Sequence, residues 1–180
     1  MADATVLTHC LRPDWPAPAH VHALVTTRQG GCSTAPFHSL NLGDHVGDDP
    51  QHVAANRQTL ARALNQLAPA EAPQWLKQIH GVRVITPSSH ASEREAQILE
   101  ADAATTTDLA VPLTVMTADC LPVFVTDKEG SRVAVAHAGW RGLAAGVMEH
   151  TVHAVCDAAG VTPAQVRVWL GPCIGADAFE

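Results

Sequence analysis

Pro122-Val-Phe-Val-Thr126, Asp127-Lys-Glu-Gly130 and Arg132-Val-Ala-Val-Ala136 follow one another almost without interruption. The outer two runs are short, apolar and rich in β-branched residues. The middle one has the Asp and Gly of a tight connection, so the segment predicts a β-hairpin. Pro122 suits a strand start, where a missing N–H removes no ladder bond. After the hairpin, Leu143 to Ala159 predicts a helix stopped by Gly160, and Val166 to Leu170 predicts another strand. Before it, Leu113-Thr-Val-Met116 reads as a strand, and Trp75 to Ile85 as extended chain broken at His80-Gly81. Further back lies the clearest helix. Asp49 fits its N-cap, Pro50 its first position, Val53, Leu60, Leu64 and Leu67 its apolar stripe, and Pro69 closes it. Arg28 to Asp49 is a long Gly/Ser/Asn/Asp loop of the kind that carries function. The alternating Val21 to Thr27 predicts a strand, and Pro13, Pro16 and Pro18 make the first twenty residues an irregular arm. Hairpins and two long helices, without strict βαβ alternation, predict an α+β fold of mixed β-sheet layers packed by helices.

The 180 residues are 47% hydrophobic and 16% charged, enough for one domain with a core that needs no staples. A net charge of −7 argues against nucleic acid as partner, because phosphate neutralisation calls for a Lys/Arg surplus. Small phosphate-bearing substrates need only one or two placed arginines. Cys10, Cys32, Cys120, Cys156 and Cys173 are odd in number and unpaired in spacing, which speaks against a secreted disulfide framework. Met1-Ala-Asp-Ala-Thr5 has no basic stretch before an apolar run, so no signal peptide is expected, and no run is long enough for a membrane span. A cytoplasmic chain with reduced thiols is the expectation.

Three segments carry metal-capable side chains beside small residues: Gln78-Ile-His80-Gly81, Thr117-Ala-Asp-Cys120 and Ala136-His137-Ala-Gly139-Trp-Arg141-Gly142. Two imidazoles and a thiol would make an open three-ligand set of the kind catalytic zinc keeps, its fourth position left for water or substrate. Singly, each residue has an ordinary reading, the histidines as hydrogen-bonded groups and Cys120 as a buried small hydrophobe. Spacing alone does not bring them together. Asp119 is the natural carboxylate for proton transfer or for orienting a ligand imidazole, and otherwise a strand-end cap. Asp102 is either a turn residue or an acid behind a ligand. Arg28 and Arg141 offer guanidinium forks to phosphate or carboxylate, or form surface ion pairs. Asn41 either fixes its loop by an Asx turn or contacts substrate. The pairs His20/His22 and His150/His153 read as exposed.

With Thr26-Thr-Arg28-Gln-Gly-Gly31, Ser39-Leu-Asn-Leu-Gly43, Ala101-Asp-Ala103, Thr117-Ala-Asp-Cys-Leu-Pro122 and Gly171-Pro-Cys-Ile-Gly175 added, the motifs occur in the order seen in one family. From about Val21 onward the chain resembles the bacterial YfiH family, also called the multicopper polyphenol oxidase (laccase-domain) or purine nucleoside phosphorylase-like family. The resemblance implies an α/β/β/α-type layered fold over residues 1–180 as a single domain. It implies zinc, with copper as the other candidate, on His80, Cys120 and His137. Asp119, Cys120 and Arg28 then fall in catalytic positions, and Asn41, Asp102 and Arg141 in substrate-binding ones. Members are described as zinc enzymes that phosphorolyse purine nucleosides and methylthioadenosine and deaminate adenosine. Others are described as peptidoglycan-precursor editing amidases or as copper-dependent phenol oxidases. The implied partners are therefore small molecules, a purine nucleoside and phosphate, with oligomeric state left open. Relatives usually continue past the motif that ends here at Phe179-Glu180, so the chain is expected to lack the family's C-terminal stretch and part of the substrate pocket.

Chemistry separates these activities before any geometry is known. Multicopper oxidation needs several copper centres and many His ligands, whereas a mononuclear zinc hydrolase or transferase needs only the three ligands. Cys120 as a nucleophile with His137 as base is a third possibility, incompatible with Cys120 as a ligand. A purely structural zinc would need a fourth protein ligand, since structural sites are closed.

Overall fold

The hairpin forms. In the computed structural model, which describes residues 6–88, 90 and 98–179, β5 (Leu121–Asp127) pairs antiparallel with β6 (Val133–Ala138), from Leu121 opposite Ala138 to Thr126 opposite Val133. Met1 to Thr5, read above for a signal peptide, and Glu180 lie outside the described residues. The connection is closed by Asp127, whose carboxylate accepts the N–H groups of Glu129 (3.2 Å) and Arg132 (2.8 Å) and the Ser131 hydroxyl (3.1 Å). Gly130 sits in the left-handed region at φ +69°, which glycine adopts without strain.

The chain divides into two compact units: residues 1–13 with 23–71, and residues 14–22 with 72–180. The hairpin is the centre of the second. Its five-stranded sheet runs β2 (Val84–Ile85), β4 (Ala103–Thr106), β6, β5, β7 (Val166–Leu170). Only the β2–β4 pair is parallel, so the sheet is mixed. One face carries Ala103, Val123, Val125, Ala134, Ala136 and Ala138, and packs on Val147 and Val155 of α3 (Val147–Ala159). The small side chains on the sheet let the helix approach closely. Truncating Val123 or Val125 there would cost about 2 kcal/mol in lost burial and cavity. The opposite face brings Ile85 and Ala104 against Leu76 and Leu99 of a parallel two-stranded sheet, β1 (Leu76–Lys77) with β3 (Leu99–Glu100). Helix, large sheet and small sheet make the layered α+β arrangement.

Four expectations need correction. Leu143 to Ala159 is two helices, α2 (Trp140–Ala145) and α3, divided by Gly146 at φ +97°. Leu113 to Met116 is not a strand. It makes one bridge, Leu113 to Gln74, and the Gln78 side chain takes up both the N–H and the C=O of Met116, at 2.7 Å each, in place of a ladder. Val21 to Thr27 likewise makes a single bridge, Val25 to Leu11. His137 lies within β6 rather than after it.

In the first unit the predicted helix α1 (Pro50–Leu67) begins at Asp49, whose carboxylate accepts the Gln51 N–H. Its buried Asn56 donates to the Ser33 hydroxyl and the Ser39 and Asn41 carbonyls and accepts the Cys32 N–H. The long loop is thus ordered by polar contacts to one helix residue. A Cβ on Gly31 would lie 2.2 Å from the Ser39 carbonyl, so only glycine fits there.

Candidate metal centre

The register of the hairpin places the first two candidates. Pro122 opposite His137 and Leu121 opposite Ala138 carry the next pair, Cys120 and Gly139, off the end of the sheet side by side. His80 arrives from the turn between β1 and β2. Cys120 Sγ lies 3.7 Å from His80 Nε2, the two imidazoles meet edge-to-face with centroids 4.7 Å apart, and one ligand atom from each of His80, Cys120 and His137 falls within 4.8 Å of the others. A tetrahedral zinc with bonds of about 2.0–2.1 Å to nitrogen and about 2.3 Å to sulfur would hold N and S about 3.6 Å apart. The 3.7 Å between His80 Nε2 and Cys120 Sγ matches that separation. Gly139 makes room for it: a Cβ there would sit 2.7 Å from His80 Cδ2 and 2.9 Å from Cys120 Sγ.

His80 is the one non-glycine residue with positive φ among the described residues, at +58°. Asp102, at the entry to β4, faces this turn. Its carboxylate accepts the backbone N–H groups of Ile79 (3.1 Å), His80 (2.9 Å) and Gly81 (2.7 Å), and His137 Nδ1 at 2.8 Å. The Asp102 carbonyl also accepts the His137 N–H at 2.7 Å. Asp102 is fully buried, and protein donors take both its oxygens.

Burial pushes the His137 pKa down, with the His80 charge acting the same way, although the Asp102 hydrogen bond and charge oppose it. A neutral imidazole at physiological pH is a ligand-ready one. Burial pushes the Cys120 thiol up, and the charges of Asp119 and Asp102 add to this. A raised thiol is the reverse of an activated nucleophile, and a metal binding there would displace its proton. The Cys120–His137 nucleophile–base reading loses support on that ground.

The other candidates are more dispersed. Asp119 is exposed beside Cys120, its carbonyl accepting the Ile174 N–H. Arg141 is exposed on α2, two residues after Gly139, with its guanidinium 4.9 Å from the centroid of the Trp140 ring. Arg28 and Asn41 belong to the first unit. Arg28 Nε donates to the His38 carbonyl at 2.7 Å, and the residue lines a small cleft with Gln29, His38 and Ser39. The Asn41 amide accepts the Gly43 N–H and donates to the Gly43 carbonyl and to Asp48, forming the Asx turn. Gln78 went unremarked in the sequence beyond its place in the motif. A long amide next to a candidate ligand was its only signal.

Known proteins resemble this chain in sequence and in fold. A family model described as multi-copper polyphenol oxidoreductase laccase matches residues 22–180. A purine nucleoside phosphorylase of Pseudomonas aeruginosa is 52% identical over 170 residues, 94% of this chain and 64% of that protein. The purine nucleoside phosphorylase YfiH of Escherichia coli is 47% identical, over 93% of this chain and 65% of its own length. A Neisseria meningitidis protein of known crystal structure superposes with a TM-score of 0.82 at 44% identity, over 95% of this chain and 65% of that one. The chain thus spans somewhat less than two thirds of the relatives it matches. By sequence and by fold, it belongs to the YfiH family of laccase-domain proteins.

Proposed function

We propose that His80, Cys120 and His137 hold one zinc ion in an open site, and that this site serves a purine nucleoside phosphorylase. The observation that carries the metal reading is the convergence of three donor atoms within 4.8 Å, with His137 Nδ1 already bonded to Asp102 so that Nε2 is left for a metal. The group numbers three among the described residues, as an open catalytic site requires and a closed structural one does not. One His/Cys group among those residues also favours a mononuclear zinc site over the several centres of copper oxidation. The substrate class comes from the relatives named purine nucleoside phosphorylase. Adenosine deamination and methylthioadenosine phosphorolysis extend the same reading to neighbouring substrates.

A bound zinc would supply Lewis acidity at the fourth position. In phosphorolysis a phosphate oxygen bonds to C1′ of the ribose while the C1′–N9 bond breaks, its electron pair leaving with the base. The departing base takes up a proton, and Asp119, exposed beside Cys120, is the carboxylate proposed to relay it from solvent. Arg141, held against Trp140, offers its guanidinium to an anionic group. His80 and His137 serve as ligands and keep their rings fixed. The relatives named purine nucleoside phosphorylase support small molecules, a purine nucleoside and phosphate, as the partners.

The test is metal analysis and product analysis on the same protein. About one zinc per chain and phosphate-dependent release of base from adenosine or inosine are expected, and Cys120→Ala should lose both. Full zinc retention in that variant would sink the ligand assignment. Cleavage of a serine-containing muropeptide precursor without any base release would replace the phosphorylase with the amidase.

A further inference from the structure

We propose that Asp102 is a positioning residue that sets both candidate imidazole ligands at once, one through its side chain and the other through its backbone, and so preforms the His80–His137 half of the site before any metal arrives. The inference rests on the ligand reading given above.

An ionised carboxylate has about four acceptor positions and no proton to give. Asp102 fills them with four donors. Oδ1 takes the His80 N–H and His137 Nδ1, and Oδ2 takes the N–H groups of Ile79 and Gly81. Three consecutive backbone N–H groups converging on one carboxylate form a nest. The middle residue of this nest, His80, is the one with φ +58°, a conformation a histidine does not keep unaided. The carboxylate therefore holds His80 in the turn that aims its ring at Cys120, without touching that ring.

The second route is direct. Because Asp102 only accepts, His137 Nδ1 must carry the proton, and the lone pair is confined to Nε2. The His137 backbone N–H is bonded to the carbonyl of the same aspartate at 2.7 Å, so ring and main chain are pinned by one residue. His137 is also the only side chain bonded to the Asp102 carboxylate among the described residues, the other three donors being backbone N–H groups. The buried charge is otherwise balanced by backbone dipoles. A carboxylate needed only to tie off the 79–81 turn would have no use for the bond to a ring 35 residues further along the chain.

Asp102→Asn tests this. The amide keeps the volume but turns one oxygen into a donor facing donors. Zinc affinity, measured by competition with a chromophoric chelator, should fall about 10- to 100-fold. The cobalt-loaded variant should show shifted d–d bands. Asp127→Asn, at another fully buried aspartate of the same sheet, should leave zinc affinity within about twofold. A folded Asp102→Asn protein with unchanged affinity and spectrum would overturn the proposal. Should that variant not fold, the unsubstituted protein decides it. Long-range proton–nitrogen NMR of metal-free protein should show His137 as the Nδ1–H tautomer, and the Nε2–H tautomer would overturn the proposal. If the unsubstituted protein bound no zinc at all, the ligand reading itself would fall, which the tautomer measurement alone does not touch.

Discussion

A buried aspartate stands near each end of the β5–β6 hairpin, Asp127 in its turn and Asp102 at the entry to the neighbouring strand β4, and the two are used differently. At the turn end, Asp127 gathers donors from residues no more than five positions away. At the open end, Asp102 gathers them from residues 79–81 and 137, between 21 and 35 positions away. The first carboxylate closes a local loop. The second ties three distant stretches into one small volume, and that volume is where His80, Cys120 and His137 meet. Local satisfaction of a buried charge builds structure. Non-local satisfaction, made at the cost of a left-handed histidine, marks the place where geometry is being held for chemistry.

The comparison breaks most sharply at Gly139. Gly139→Ala puts a methyl group 2.7 Å from His80 Cδ2 and 2.9 Å from Cys120 Sγ, so at least one ligand must move. Zinc affinity should fall by about 100-fold or more, as for loss of a ligand's support. The hairpin, whose last ladder pair is Leu121 with Ala138, should keep its stability to about 1 kcal/mol, the ordinary scale of a peripheral substitution. Thermal unfolding of the metal-free proteins beside chelator titration separates the two effects. Unchanged zinc binding in this variant would mean that the open end tolerates rearrangement and is not preorganised.

The turn end should respond in the opposite sense. Asp127→Ala leaves the Arg132 and Glu129 N–H groups and the Ser131 hydroxyl without their acceptor in a turn where Asp127 is only 1% exposed. A loss of about 2–3 kcal/mol is expected for these unsatisfied donors, roughly 5–10 °C in Tm for a chain of this size, with zinc affinity unchanged. A drop in zinc affinity in step with stability would show that the two ends are one cooperative unit and would remove the contrast.

The same contrast explains what was legible in the sequence. Asp127 and Gly130 announced a turn because their partners lie within the turn, and Asp49-Pro50 announced a helix for the same reason. Val21 to Thr27 and Leu113 to Met116 carry equally good strand residues, yet each finds a single bridge, because a strand also needs a neighbour with free main-chain groups and no local pattern supplies one. Gly146 is the exception that could have been read: a glycine inside an apolar helical pattern, here the left-handed residue that splits the helix. The three ligand candidates were visible as residue types beside glycines, and their convergence was not, since it depends on a register and on a turn fixed by Asp102. The motif Ala101-Asp-Ala103 offered only a short acid between small residues, with nothing to say what it would face.

The smallest effect concerns acid. Burial alone would raise the Asp127 carboxyl, but the N–H of Arg132, the hydroxyl of Ser131 and the N–H of Glu129 outweigh it and hold the group below the usual carboxylate range. A carboxyl depressed in the folded state contributes stability that is complete above its unfolded value, about 3.9, and disappears as pH falls through its folded value. Asp127→Asn cannot take part in that titration. The stability gap between the original protein and this variant should therefore be constant from pH 7 to about 5 and narrow below about 4, as read by urea unfolding at each pH. Taking the difference between two proteins cancels every other group that titrates in this range, including those at the metal site. A gap that instead widened on acidification would mean that the turn favours the protonated carboxyl, and that Asp127 is held by burial rather than by its donors.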